Sequence, residues 1–597
     1  MKKSTIKVFL GVHTWTGLGA GMALFIAFYA GSLTVFFHEL EIWDTYHKAS
    51  SSQQQSIDDA QRLLDLAVEN RPGMVSNLRL YPAEADHPEN VVRWYERLTD
   101  GSFERHEFRL TESGTLNTAE DNAQLAGFIY QLHYTAGLPA TFGIYVLGIV
   151  SLIYGLALVT GLLIFLPNLL TDLFSIRRGK NKKRFWLDAH NAVGVISLPW
   201  HMMFAWSSVV LCIGIFTIAP FQFIVFDDDL LELIGPELGV VQPLEPAKES
   251  GKMLPVADML AIAERAAPGF SASQLRFTNY GDRQATVQIF GDSNTQTLLT
   301  RVGVTLNGST GEVLAVSHPN TSGIGATIYN GLIALHYVSF GGYLVKWVYF
   351  VLGLSGAFLF YSGNLLWIET RRKRRNPVQP ATTVFLAKLN SGVCIGCMAA
   401  VSAAFLASRV LMDLDDRGEM TEWAYYAVFL LAIAWCFIRP VSVGTRDLLC
   451  ACAVLTAAIP VADAVVLGMP VWRSVALEEW PLVCVSAVSL VSAVCFWQMG
   501  AAVQKRLKLG DANSVWGGSE ANVVPSTLAK SVDCTVNEVQ LGAYIEDIAG
   551  LVESPTALLG QIEDRFMNLP PELLQATIAT HQKYITLQDQ SGNFSPY

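Results

Sequence analysis

Charge is scarce in this sequence. Charged residues are 16% of 597 positions, and 41 Lys and Arg stand against 52 Asp and Glu, a formal net charge of −11. No nucleic acid is expected as a partner. Cysteine is missing from both long polar stretches, residues 40–130 and 221–333, so no disulfide framework supports them. Eight of the nine cysteines (212, 394, 397, 436, 450, 452, 484 and 495) fall in apolar runs, and Cys534 lies in the C-terminal tail. A glycine-rich phosphate loop following a strand is also missing, which leaves no recognisable nicotinamide or flavin domain.

What is abundant is apolar surface. Hydrophobic residues make up 51% of the chain and the mean hydropathy is +0.34, too apolar for a soluble protein of this length. Eight runs near 10–37, 142–166, 191–219, 343–368, 384–410, 423–438, 447–468 and 481–502 can each cross a hydrocarbon core about 30 Å thick. Basic residues cluster between alternate runs: Lys2, Lys3 and Lys7; Arg177 to Arg184; Arg371 to Arg375; Arg439 and Arg446; Lys505, Arg506 and Lys508. All five clusters share one side if the runs alternate, which predicts a multi-pass protein of a bacterial cytoplasmic membrane with both termini cytoplasmic. The polar segments then face outside, where Asp227, Asp228 and Asp229 account for part of the negative charge. The first run is too long for a secretory signal and has a counterpart later in the chain.

That counterpart belongs to an internal repeat. His13-x-x-x-Gly17 opens the first run and His190-x-x-x-Gly194 the third, while Leu132-His133-Tyr134 precedes the second and Leu335-His336-Tyr337 the fourth. The polar segments correspond as well. An amphipathic stretch from Asp59 stops at Pro72-Gly73, and one from Val256 stops at Pro268-Gly269. Strand-like runs Val91 to Tyr95 and Ala285 to Phe290 follow, then strand pairs turning near Gly114 and Gly311. Each unit reads as helix, small α+β module, helix. The expected organisation is repeat 1 over 1–168 with its module at about 45–128, repeat 2 over 169–370 with its module at about 221–333, four further helices over 371–504, and a cytoplasmic helical tail over 505–597.

With these marks, residues 8 to 370 resemble the PepSY-associated transmembrane family, the iron-regulated membrane proteins that include ferric-siderophore reductases. The resemblance implies haem b in the membrane, electrons entering from the cytoplasmic side, and reduction of a ferric siderophore or similar chelate outside. The donor then comes from elsewhere, as quinol or reduced flavin.

Ligating residues in membrane helices are costly and functional by default. Topology sorts His13 with His190 at the cytoplasmic level and His133 with His336 at the outer level, two His/His pairs for two haems that leave the iron no open position. Gly17, Gly137 and Gly194 stand four residues after His13, His133 and His190, on the ligand's own helical face. His336 has no such glycine. His201, eleven residues after His190, is expected on the same face roughly 16 Å deeper and stands as an alternative or bridging ligand. His38 and His47 are read as interfacial.

Cys394-x-x-Cys397 lacks the following histidine of a c-type haem motif, Met398 standing there, and is read as helix packing, with a redox or metal pair as the other reading. Two rival functions remain: a scaffold whose modules bind a peptide or envelope partner with structural histidines, and a transporter, disfavoured because the spans are taken to lack acidic residues.

Overall fold

The computed structural model describes residues 3–517 except 47–53, 84–88, 98–102, 112, 118–123, 170–176, 178–181, 221–242, 294–300, 319–322, 374, 377, 415 and 512. The expected tail beyond Gly517, His47 and Asp227 to Asp229 lie outside the described residues.

Seven helices are long and apolar enough to cross a membrane, and a bent pair makes up to eight. The chain is therefore a multi-pass membrane protein. Helix α1 (Lys3–Thr34) leads into a short helix α2 (Phe37–Thr45). After helix α3 (Ile57–Asn70) and strands β1 (Leu78–Tyr81), β2 (Val91–Arg97), β3 (Phe103–Leu110) and β4 (Leu116–Asn117), helix α4 (Gln124–Thr135) precedes the spanning helix α5 (Ala140–Phe165). The third span is the bent pair, α6 (Lys182–Ile196) and α7 (Leu198–Pro220). Helix α8 (Val256–Ala266), strands β5 (Phe270–Thr278), β6 (Thr286–Ser293), β7 (Arg301–Asn307) and β8 (Val313–Ser317), and helix α9 (Ile324–Tyr337) then lead to α10 (Gly342–Thr370). Four more spans follow: α11 (Ala381–Val410), α12 (Arg417–Ile438), α13 (Val441–Val466) and, after the short α14 (Val471–Ala476), α15 (Trp480–Leu509).

The third span departs from the continuous helix the sequence suggests. It bends by 68° at Ser197. Pro199 has no N–H to give and its ring crowds the carbonyl of Val195, so the ladder cannot run through. His201 consequently does not continue the His190 face, and the expected three-turn spacing between them fails.

The polar segments also differ from two separate modules. Their strands form one eight-stranded sheet, ordered β4-β3-β2-β1-β5-β6-β7-β8, because β1 and β5 pair antiparallel with Leu80 opposite Leu275 and Leu78 opposite Phe277. Alternation sends Leu78, Leu80, Val92, Phe108, Leu275, Phe277, Val287, Ile289, Val302 and Val304 to one face, where α3 and α8 cover them in a single apolar core. Ser56 caps α3, accepting from the Asp59 N–H while the Asp59 carboxylate accepts from the Ser56 N–H. Gly114 and Gly311 sit in the β3–β4 and β7–β8 turns at φ of +74° and +77°, where L side chains are strained.

The last four spans are joined to the first part of the chain by buried charge. Asp44 in α2 accepts from Arg417 and Ser408 and from the Leu125 N–H at 3.0 Å. Arg409 donates to Asp463 at 2.8 Å and to the Trp43 carbonyl at 2.6 Å, and the Trp43 indole donates to Asp463 at 3.1 Å. Both carboxylates and Arg409 are almost fully buried. Asp463 lies inside α13, which corrects the reading that the spans lack acidic residues; its charge is compensated by Arg409. Breaking such a pair strands a buried charge, whereas replacing both partners with apolar residues need not. Arg409→Leu should destabilise the protein by about 3–5 kcal/mol, and Arg409→Leu with Asp463→Leu by clearly less. Thermal unfolding of the purified variants in detergent reads this.

Candidate histidine centres

Burying an imidazole in an apolar bundle requires a partner for at least one ring nitrogen. Four histidines have one. His13 in α1 uses Nδ1 against the Ala157 carbonyl of α5 at 2.8 Å, and His133 in α4 uses Nδ1 against the Ala27 carbonyl of α1 at 2.8 Å. His190 in α6 meets the Ser362 hydroxyl of α10 through Nδ1 at 3.0 Å, and His336 in α9 meets the Ser207 hydroxyl of α7 through Nδ1 at 2.6 Å. Each contact joins two helices. Fixing Nδ1 leaves Nε2 to point away from its anchor, the second-neighbour arrangement that orients metal-ligating histidines.

The four rings meet in twos. His13 and His190 have centroids 6.4 Å apart at an interplanar angle of 77°, and His133 and His336 have centroids 6.0 Å apart at 40°. Two imidazoles that each place a nitrogen about 2 Å from a shared metal have centroids about 6 Å apart. The spacing therefore fits one iron between each pair. Among the described residues no cluster of three or more His, Cys, Asp or Glu could hold a bare metal ion.

Glycines make room for these rings, though mostly not the ones the His-x-x-x-Gly spacing singled out. A Cβ on Gly31 would lie 2.5 Å from His133 Nδ1, one on Gly161 would lie 2.9 Å from His13, and one on Gly363 would lie 3.4 Å from His190. Each faces the histidine from a neighbouring helix. Of the singled-out glycines, Gly17 meets nothing described within 4 Å, Gly194 only Leu359, and Gly137 adopts φ +81° just after α4. His133 and His336 stand on short helices cut from the following spans by left-handed residues, Ala136 and Gly137 in one case, Val338 and Gly341 in the other.

His201 joins neither pair. It is buried in α7 beside Phe28 and Tyr154, with ring centroids 5.6 and 6.1 Å away, and neither ring nitrogen has a partner among the described residues. Phe28, Phe204, Phe360 and Tyr154 form the aromatic packing around it. Phe204 also touches His336, with centroids 5.9 Å apart. His38 lies near Glu41 at the end of the bundle that bears the sheet, with 4.0 Å between Nδ1 and the carboxylate. Cys394 and Cys397 are buried as free thiols near Asn390 and Tyr425, where α11 contains a π-helical turn at Ser391–Ile395. The anchors Ser207, Ser362, Ala27 and Ala157 carry no sequence signal of their own. Only the three-dimensional register selects them.

A membrane bundle with two buried imidazole pairs at different depths is the class these observations define. The chain belongs to the PepSY-associated TM region family, whose sequence profile matches residues 10–370. A second profile, that of the glycyl-tRNA synthetase beta subunit, matches residues 526–597. Over that tail the chain is 55% identical across 70 residues to the glycine–tRNA ligase beta subunit of Rickettsia akari and 46% identical across 70 residues to that of Rickettsia canadensis. Each match covers 12% of this chain and 10% of the relative, so the chain spans about a tenth of the length of these curated relatives.

The close approach of Gly31 to His133 generates a direct test. Gly31→Ala should cost about 1–3 kcal/mol by overpacking, while Gly19→Ala, at an exposed position with nothing described within 4 Å, should be neutral or slightly stabilising. Thermal unfolding of the two variants side by side checks the difference.

Proposed function

We propose that this chain carries electrons across the bacterial cytoplasmic membrane through two b-type haems and reduces a ferric siderophore or similar ferric chelate on the side that bears the sheet. The observation that carries the reading is the pairing: two cross-bundle imidazole pairs, each ring anchored through Nδ1 and each pair spaced for one iron. Haem, which His13 with His190 and His133 with His336 would hold, would supply one-electron chemistry.

The residues of the chain do the rest. His13 and His190 hold the cytoplasmic centre, His133 and His336 the outer one. The Ala27 carbonyl that anchors His133 lies fourteen residues beyond His13 in α1, about 21 Å along the helix, so the two centres divide the membrane between them. His201, Phe28, Tyr154, Phe204 and Phe360 pack as one aromatic cluster that reaches His336 through Phe204. The basic clusters support a cytoplasmic position for the termini and the His13/His190 end, where quinol or a reduced flavin would deliver the electron. The matched order of helix, sheet unit and helix supports an internal duplication in which each half contributes one PepSY-like module and one ligand to each pair.

Replacing His336 by Ala should remove one haem and abolish reduction of an external ferric chelate while the remaining haem still accepts electrons from the cytoplasmic side. Replacing His13 should leave an outer haem that an external reductant reaches and the cell does not. Pyridine haemochrome counts per chain, with chelate reduction by spheroplasts, measure both. Two haems retained in both variants, or a colourless wild-type protein from haem-sufficient cells, would sink the proposal.

A further inference from the structure

The sheet has a second face, and at its seam the sequence places three arginines in one row. Arg79 on β1 stands directly opposite Arg93 on β2 and directly opposite Arg276 on β5. The row continues through Glu107 on β3 and Gln288 on β6. Directly opposed residues have Cβ atoms about 5 Å apart, and like charges at that spacing oppose folding. Glu107 and Glu41 answer the charge of Arg93, and Arg79, set between two arginines, is the member of the row that an added anion would serve.

The guanidinium groups are also oriented. Arg79 lies 4.4 Å over the Tyr95 ring, Arg93 5.0 Å over Tyr81 and Arg276 5.4 Å over Phe290, each within cation–π range of its ring. Their internal partners are unequal. Arg93 donates to Glu107 at 2.8 Å and approaches Glu41 at 3.7 Å, and Glu107 is shared with Arg109 at 2.7 Å. For Arg79 the Nε is buried with no hydrogen-bond partner among the described residues. The Gln274 amide donates to the Tyr81 hydroxyl at 3.0 Å, which leaves that O–H as a further donor beside the row.

The contact of Arg93 with Glu41 fixes where the row looks. Glu41 is on α2, which packs against α4, the helix that carries His133. α3 and α8 cover the opposite face.

We propose that Arg79 and Arg276, with Arg93 on the other side of Arg79, bind the carboxylates of a net-anionic ferric chelate, and that this row selects such chelates over neutral or cationic hydroxamate ones. The inference rests on the proposed function for the identity of the cargo and deepens it by naming its chemical class. Arginine suits the task because its planar fork meets a carboxylate in two parallel hydrogen bonds, which a lysine cannot do.

Gallium(III) citrate is the probe, because gallium matches ferric iron in charge and does not accept the electron, so binding is read independently of any haem. The wild-type protein in detergent should bind it with an affinity that falls as salt rises. Arg79→Gln and Arg276→Gln should each weaken binding at least tenfold, Arg79→Lys should restore part of it, and the ligand-free Arg79→Gln protein should melt no lower than wild type because a like-charge contact has gone. Reduction of a cationic hydroxamate chelate should be unchanged in both glutamine variants. Gallium citrate binding unaffected in the Arg79→Gln/Arg276→Gln double variant would overturn the proposal. So would equal affinity for inorganic phosphate and free citrate, which marks an unselective anion site. Loss of haem with gallium citrate binding intact would count against the redox reading and leave the arginine row standing.

Discussion

An imidazole inside an apolar bundle has two polar nitrogens and no water to satisfy them, so its position is set by whatever acceptor the neighbouring helix can offer. In this protein the acceptors are two backbone carbonyls and two serine hydroxyls, each on a different helix from its histidine. That constraint reaches far. The ring of His133 fits only because position 31 of α1 has no side chain, and the ring of His13 only because position 161 of α5 has none. The helix crossings, the glycine positions and the four Nδ1 contacts are one arrangement seen from three sides.

The same scarcity of water explains how the remaining four spans are attached. Asp44 and Asp463 are held by Arg417 and Arg409 at the sheet end of the bundle, with Trp43 and Ser408 completing their hydrogen bonds. Buried ion pairs contribute little net stability but penalise any rearrangement that separates them. They fix α2 and α4 against α11, α12 and α13, and α4 carries His133. The Leu125 N–H contact to Asp44 ties the helix that carries His133 to this buried charge.

Much of this was legible in the sequence, and the rest was not for physical reasons. The spans were visible as apolar runs, and the sorting of His13 with His190 and His133 with His336 followed from alternating topology, since residues at the same depth are the ones able to meet. The bend at Ser197 was overlooked although Pro199 announces it. Strands β1 and β5 escaped because Leu78–Tyr81 is four residues long and its partner lies nearly two hundred residues away. Without that pairing the two polar segments read as separate modules and the arginine row is invisible. Asp463 was misjudged because hydropathy averaged over a span hides one buried charge and gives no hint of Arg409. The likeness of residues 526–597 to part of a tRNA ligase subunit left no trace in amphipathic pattern alone.

The central proposal is that each pair of anchored imidazoles would hold one iron. Low-temperature electron paramagnetic resonance of the purified, oxidised protein reads that directly. The account predicts two low-spin ferric signals with the anisotropy of bis-imidazole ligation in equal amounts, one of which disappears when His190 is replaced by Ala and the other when His133 is. High-spin ferric signals in the wild-type protein, or two low-spin signals that survive both replacements, would contradict it.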